Sequence, residues 1–121
     1  MLQSIKSFRR EGVGKKDRSE WNENVLADVL LHIKTRRYKI TRHVEEHQEE
    51  YDITLPDLLH ALSNGYHEKE KTTFSNEHQS WKYAIRGWTI DRKKDLRVIV
   101  SFAEEMVLIT IVWINKKTRK K

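Results

Sequence analysis

The apolar residues of this chain change their spacing once, at Asn64-Gly65. Before that point they recur at every third or fourth position, which is typical of amphipathic helices. From Tyr66 onward they alternate with polar residues, which is typical of strands. Helices gathered at one end of a chain and strands at the other predict an α+β fold. We therefore expect N-terminal helices packed on a twisted four-stranded antiparallel sheet.

Three helices are predicted before the change of period. The first begins at Ser19, a plausible N-cap, and runs to about Thr35 with Trp21, Val25 and Val29 on its apolar face. The segment Tyr38–Thr41 alternates and predicts either a short strand or an extended linker. A second helix follows over 42–50. Thr54 then caps a third helix, which Asn64-Gly65 ends.

The strands are predicted over four segments. Residues 66–74 are polar and suit a weak edge strand, whereas 106–114 are nearly all apolar and suit a central one. Between these two lie the alternating segments 81–90 and 96–102.

A chain of 121 residues is most simply one domain. Residues 1–18 are polar and basic and predict a flexible arm. A single α+β domain is expected over 19–114, with the N-terminal helix at 19–37 and the remaining core at 38–114. Residues 115–121 form a basic tail.

The chain has no cysteine, which excludes disulfides and thiolate zinc sites. It has no apolar run near the roughly 20 residues that a membrane helix needs, nor an apolar core for a secretory signal. We therefore expect a cytoplasmic protein.

The net charge of +6 is distributed unevenly along the sequence. Residues 1–40 carry ten basic and five acidic residues, residues 41–80 carry three and nine, and residues 81–121 carry eleven and four. Basic chains attract polyanions, and RNA or DNA is the commonest such partner. The alternative is a solubilising surface with a lysine-rich tail.

Two histidines, His43 and His47, stand four residues apart and share one face of the second helix. Histidine can serve as acid or base near neutral pH, and arginine binds phosphate oxygens. RNA cleavage without a metal needs these groups, and Arg86 and Arg97 could supply the cations if their strands face the helix. The alternative is a core or capping histidine with solvated arginines.

The segment His43-Val-Glu-Glu-His47 also fits the H-x-x-E-H pattern of inverted zincins, with Glu46 as base. A zinc site needs a third ligand, and a metallopeptidase usually needs a larger body. We therefore expect no metal and no cofactor, and a metal-binding hydrolase is the least favoured class. The carboxylates around the histidines are best explained as a solvated acidic face.

The strand 81–90 carries aromatic and basic side chains that could bind nucleic acid. By alternation Trp81, Tyr83 and Ile85 share one face, which we expect in the core. The other face presents a candidate nucleic-acid surface made of Lys82, Arg86 and Trp88.

Several short motifs between Ile40 and Trp113 follow one another in a fixed order. They are His43 with His47 and Tyr51, Asp52-Ile53-Thr54 with Asp57, Leu62-Ser-Asn-Gly65, Ala84-Ile-Arg86-Gly, Leu96-Arg-Val-Ile-Val100, and Ile109-Thr110. This order resembles the family known as domain of unknown function 4258, which lies near the RelE-like and BrnT-like ribonuclease toxins. The resemblance covers about three-fifths of the chain and leaves the N-terminal helix unexplained.

The resemblance implies a RelE-like architecture and a toxin-like endoribonuclease acting on RNA. It implies His43 as acid or base, with His47, Arg86, Arg97 and Thr110 as further catalytic candidates, and an antitoxin protein as partner. The chain departs from the family where His47 and Tyr51 replace arginines, and where Arg97 replaces a frequent histidine. The alternative is a non-catalytic RNA- or protein-binding module of the same fold.

Overall fold

The structure is a computed structural model that describes residues 19–116. The predicted basic arm at 1–18 and most of the basic tail lie outside the described residues. The elements in chain order are α1 (Val25–Lys34), β1 (Tyr38–Ile40), α2 (Arg42–Tyr51), α3 (Leu55–Ser63), β2 (Tyr66–His67), a 3-10 turn (Lys69–Lys71), β3 (Thr73–Ser75), β4 (Ser80–Trp88), β5 (Asp95–Phe102) and β6 (Met106–Trp113).

The six strands form one mixed sheet in the order β1-β6-β5-β4-β2, with β3 also paired to the outer edge of β4. The α+β prediction is confirmed, but the four-stranded antiparallel sheet is wrong. Tyr38–Ile40 forms an additional edge strand that pairs parallel to β6. The parallel direction is possible because a long connection, which includes α2 and α3, lies between the two strands. The polar segment 66–74 is broken by the 3-10 turn into two short strands on the same edge.

The core lies between one face of this sheet and the helices. Tyr83 and Ile85 of β4 point into it, as their alternation predicts. The helices add buried side chains that pack against the same face, namely Val25, Val29, Val44, Leu58, Ala61 and Leu62. No helix among residues 19–116 is both long enough and apolar enough to span a bilayer.

The helix α3 approaches β4 unusually closely at Gly87. A Cβ atom built on Gly87 would collide with the main-chain carbonyl of Ala61, so the helix backbone rests almost directly on the strand backbone. A Cβ atom built on Gly65, which follows α3, would likewise collide with the main-chain carbonyl of Arg86. These contacts fix the distance between the helix layer and the sheet.

The helix α2 is attached to the sheet through Thr41. This hydroxyl accepts a hydrogen bond from the Val44 amide at 3.3 Å and donates one to the Ile109 carbonyl at 3.2 Å. It therefore caps the helix and joins it to β6 at the same time. Thr54 caps α3 by accepting from the Asp57 amide, as the sequence predicts.

The first helix begins at Val25 rather than near Ser19, which corrects the sequence prediction. The residues before it are held by aromatic partners instead of helical hydrogen bonds. Trp21 packs edge-on against Trp81 with ring centroids 4.9 Å apart, and the Asn22 amide donates to the Tyr83 hydroxyl at 3.0 Å. These tertiary contacts replace the first helical turns.

His67 lies within this aromatic cluster, 5.4 Å from Trp21 between ring centroids and 5.6 Å from Tyr83. Burial, aided by the nearby charge of Lys69, lowers the pKa of His67 below its ordinary 6.5, and Glu23 partly opposes the shift. The folded chain therefore favours the neutral imidazole more than the unfolded chain does.

We expect the stability that depends on His67 to be present above pH 6.5 and to be lost as the pH falls through 6.5 toward the folded pKa. The reason is that the unfolded chain binds the proton first. Thermal unfolding at about pH 7.5 and about pH 5.5 measures the loss, which should shrink in His67→Gln. The exposed His78→Gln is the control and should leave the pH dependence unchanged.

Candidate functional site

The candidate residues fall into two groups in different parts of the sheet. Arg86 and Arg97 lie on the face opposite the helices, hereafter the open face, which no helix within residues 19–116 covers. His43 and His47 lie on α2, beside β6 at the other side of the sheet.

Arg86 and Arg97 are direct neighbours across β4 and β5, and Glu68 lies between their guanidinium groups. Arg86 donates to both Asp95 oxygens, from Nε at 2.8 Å and from NH2 at 2.7 Å, and from NH1 to Glu68 at 2.9 Å. Arg97 donates from Nε to the other Glu68 oxygen at 2.6 Å. We call these four residues the ion cluster.

The ion cluster is largely removed from solvent, with Glu68 only 5% exposed. Hydrogen bonds from Arg97 and then Arg86 lower the pKa of Glu68, against the effect of burial. Bonds to Asp95 and Glu68 raise the pKa of Arg86, and the bond to Glu68 raises that of Arg97. Two cations and two carboxylates cancel, so neither arginine offers unbalanced charge to a phosphate.

Glu68 was missed by the sequence reasoning. Its only signal is that it lies two residues after Tyr66, so the two side chains project to the same face if both are extended. The pairing of Tyr66 with Arg86 sets this position, and a two-residue edge strand gives the sequence no means to predict that register.

The open face also carries the predicted nucleic-acid residues. Lys82 and Trp88 alternate with Arg86 on β4 and therefore share its face, as predicted. Trp88 is 42% exposed and Tyr66, on the adjacent strand, is 56% exposed. Tyr66 was not among the sequence candidates. Two exposed aromatic rings therefore flank the ion cluster.

The two histidines form the start of a row of rings along α2. The ring centroids of His43 and His47 are 4.4 Å apart, and His47 stacks on Tyr51 at 5.0 Å with an interplanar angle of 8°. Tyr51 meets Trp113 of β6 edge-on at 5.7 Å. We call these four residues the ring row. It follows from the spacing of positions 43, 47 and 51 on one helix face.

Cations lie at the Trp113 end of the ring row. The ammonium of Lys116 lies 5.2 Å from the Tyr51 ring centroid, and that of Lys94 lies 5.2 Å from the Trp113 ring centroid. Both distances are within the range of a cation–π interaction. Unlike the arginines of the ion cluster, neither lysine forms an ion pair within residues 19–116.

A carboxylate orients one of the imidazoles. Glu50 lies 3.2 Å from Nδ1 of His47. In the tautomer with its proton on Nδ1, the imidazole donates a hydrogen bond to Glu50, and the lone pair of Nε2 is available to accept a proton. Glu45 and Glu49, also four residues apart, lie on a different side of α2 from His43 and His47 at 100° per residue. Half of the acidic run is thus turned away from the imidazoles.

The ring row and the ion cluster do not meet. The helix α2 contacts β6, whereas Arg86 lies on β4, two strands away at about 4.8 Å per strand. No contact between His43 and Arg86 joins the two groups in the described part of the chain. Thr110 of β6 is half-buried opposite Ile99 and lies on the same face as Arg97.

A metal site is not assembled from the described residues. Within 19–116 no three His, Asp or Glu side chains are grouped to hold an ion. Glu46, the base of the zincin pattern, lies 3.6 Å from Arg42 in an exposed ion pair. The pattern H-x-x-E-H therefore contributes two imidazoles without a third ligand among these residues.

Comparison of the chain with protein-family models, with curated proteins and with solved structures finds no match. The resemblance to domain of unknown function 4258 and the RelE-like architecture stay predictions from the sequence motifs.

Proposed function

We propose that this chain is a toxin-like endoribonuclease that cleaves RNA without a metal at the ring row. The observation that carries the proposal is the pair of adjacent imidazoles, one of them oriented by Glu50, at one end of an aromatic row that has two lysines at its other end. A base held by a carboxylate next to a second proton-transfer group is the arrangement that such chemistry needs.

His47 suits the role of base because Glu50 holds its Nδ1 and leaves Nε2 to accept the proton of a ribose 2′-hydroxyl. The 2′-oxygen attacks the adjacent phosphorus, and the bond to the 5′-oxygen breaks. His43, which is exposed, donates the proton to that leaving oxygen. The products are a 2′,3′-cyclic phosphate and a 5′-hydroxyl, and no water or metal is consumed.

In this proposal Lys94 and Lys116, at the Trp113 end of the ring row, bind phosphates of the RNA next to the cleaved one, which revises the role first given to Arg86 and Arg97. Both lysines border the ring row, whereas both arginines are neutralised by Glu68 and Asp95. Tyr51 and Trp113 offer rings against which a base can stack. The arginines would then stabilise a part of the sheet that lies away from the site.

We expect His47→Ala and His43→Ala each to lower the rate of RNA cleavage by about 100-fold or more, because each removes one proton-transfer group. Cleavage of a fluorescent RNA oligonucleotide by the purified full chain, with EDTA present, measures the rate. The exposed His78→Ala is the matched control and should cleave like the unmodified protein.

An activity that disappears in EDTA would overturn the metal-free mechanism. An activity that survives both histidine substitutions would overturn the assignment of the site.

A second candidate is a non-catalytic RNA-binding module that uses the open face around the ion cluster, and the two exposed aromatic rings there favour it. The exposed rings of Tyr66 and Trp88 flank that cluster and could stack two bases, with Lys82 four residues before Arg86 on the same face of β4. Binding without cleavage that weakens in Trp88→Ala but not in His43→Ala would select this candidate. Under either function we propose RNA as ligand and the cytoplasm as location, and for the nuclease we propose an antitoxin protein as partner.

A further inference from the structure

The helix α1 is apolar on two opposite sides. One side carries Val25 and Val29, which are buried against the sheet and α3. The other side carries Ala27, Leu30, Leu31 and Lys34, which are all exposed. These four positions have the spacing of a single helical face, and we call them the outer stripe.

The outer stripe is more apolar than a solvated helix face needs to be. Leu30 is 41% exposed and Leu31 is 55% exposed, and they are adjacent to each other and to the small Ala27. A helix that is apolar on both sides is normally covered on both. Nothing within residues 19–116 covers this one.

The charges at the two ends of the outer stripe are opposite. The exposed carboxylates of Glu20 and Glu23 lie before its N-terminal end, and one oxygen of Glu23 accepts a hydrogen bond from Nε1 of Trp21 at 2.9 Å. The exposed cations of Lys34, Arg36 and Arg37 lie at its C-terminal end. None of these three forms an ion pair with a described residue, and Arg37 donates only to the Glu104 carbonyl. The surface is therefore acidic at one end and basic at the other.

We propose that the outer stripe binds the same stripe of a second copy of this chain, with the two α1 helices antiparallel. A two-fold axis between Asp28 and Val29 places Ala27 against the partner's Leu30. The same axis brings Glu23 opposite the partner's Lys34, and the reverse. The two-fold axis repeats each contact, so the small residue Ala27 packs against the large Leu30 twice. Glu23 likewise pairs with Lys34 twice, as an isologous interface requires.

The charge pattern selects this occupant over others. A parallel second helix would place like charges together at both ends, which is unfavourable. An acidic amphipathic partner would suit Lys34 and Arg36 but would be repelled by Glu20 and Glu23. Only a partner with the reversed polarity fits both ends, and an antiparallel copy of α1 has that polarity.

The dimer is expected to be concentration-dependent. A stripe of about three turns offers less than the roughly 800 Å² per partner that stable complexes bury. The interface uses neither the ring row nor the ion cluster, so it does not depend on the proposed function.

Sedimentation equilibrium of the full chain over a range of concentrations tests the proposal. We expect a reversible monomer–dimer equilibrium in the unmodified protein and a monomer in Leu31→Glu. Lys34→Glu should weaken the dimer about tenfold, because two attractive pairs become repulsive. Adding Glu23→Lys to Lys34→Glu should restore most of the affinity. Lys39→Glu is the matched control, since it makes the same charge change on an exposed residue of β1.

All of the substituted side chains are exposed, and circular dichroism with tryptophan fluorescence checks that each variant keeps the fold, above all Glu23→Lys, which removes the hydrogen-bond acceptor of Trp21. Failure of the charge exchange to restore the dimer would overturn the antiparallel arrangement. A strictly monomeric unmodified protein would overturn the proposal and would mean that another segment or protein covers the outer stripe.

Discussion

Gly87→Ala is expected to destabilise the fold by about 3 kcal/mol, the upper end of the usual range for overpacking in a closely packed interior. The added methyl group would meet main-chain atoms of Ala61, which cannot rotate away as a side chain can. The helix α3 would have to move off β4 and would loosen the packing of Leu58 and Leu62. Urea unfolding followed by tryptophan fluorescence measures the loss.

A second substitution separates a main-chain collision from ordinary crowding. Ala61→Gly removes the methyl group of Ala61 but leaves its carbonyl in place, so it should not rescue Gly87→Ala. A rescue would show that side-chain volume, and not the approach of the two backbones, limits this position.

Glu68→Gln is expected to cost about 2–4 kcal/mol, because removing one member of a buried ion pair leaves the remaining charges uncompensated. Glu68 accepts hydrogen bonds from both Arg86 and Arg97, so both lose their shared counter-charge. For a domain of this size that corresponds to a fall in the melting temperature of about 8 °C or more. The exposed neighbour Glu70→Gln is the control and should change little.

The same variant should alter the acid limb of the stability curve. The folded pKa of Glu68 lies below its ordinary 4.5, so its contribution is present above pH 4.5 and is lost as the pH falls through the folded value. Glu68→Gln should therefore lose stability with falling pH less steeply than the unmodified protein does. An unchanged acid limb would contradict the low pKa.

A loss of RNA cleavage in a variant of Arg86 or Arg97 has two possible causes, a catalytic one and a structural one. Arg86→Ala would leave Glu68 and Asp95 short of a cation, so a loss of RNA cleavage could follow from partial unfolding alone. An Arg86 variant that keeps its melting temperature and loses activity would show that Arg86 takes part in catalysis.

The main layers of the fold were predictable because they rest on local patterns. The change of period at Asn64-Gly65 separated helices from strands, and the Thr54 cap sets the start of α3 as expected. The buried face of β4 followed from simple alternation. By contrast, the parallel pairing of β1 depends on a partner strand near the far end of the domain, and three residues carry too little pattern to specify it.

The candidate site was predictable only within single elements. The spacing of His43 and His47 correctly placed both imidazoles on one helix face, and alternation placed Arg86 with Lys82 and Trp88. The relation between the elements was not predictable, since it depends on strand order. The neutralisation of Arg86 depends on Glu68, whose position is set by a short edge strand.

The attachment of β1 has a consequence for the order in which the domain assembles. The strands β4, β5 and β6 follow one another through tight connections, so their contacts are local and close quickly. Pairing Tyr38 with Met106 instead requires closing a loop that includes about two-thirds of the described residues. We therefore expect β1 to join last and to open first. Thr41 directly follows β1 and joins the histidine helix to β6, so we expect the ring row to lie beside the part of the molecule that opens first.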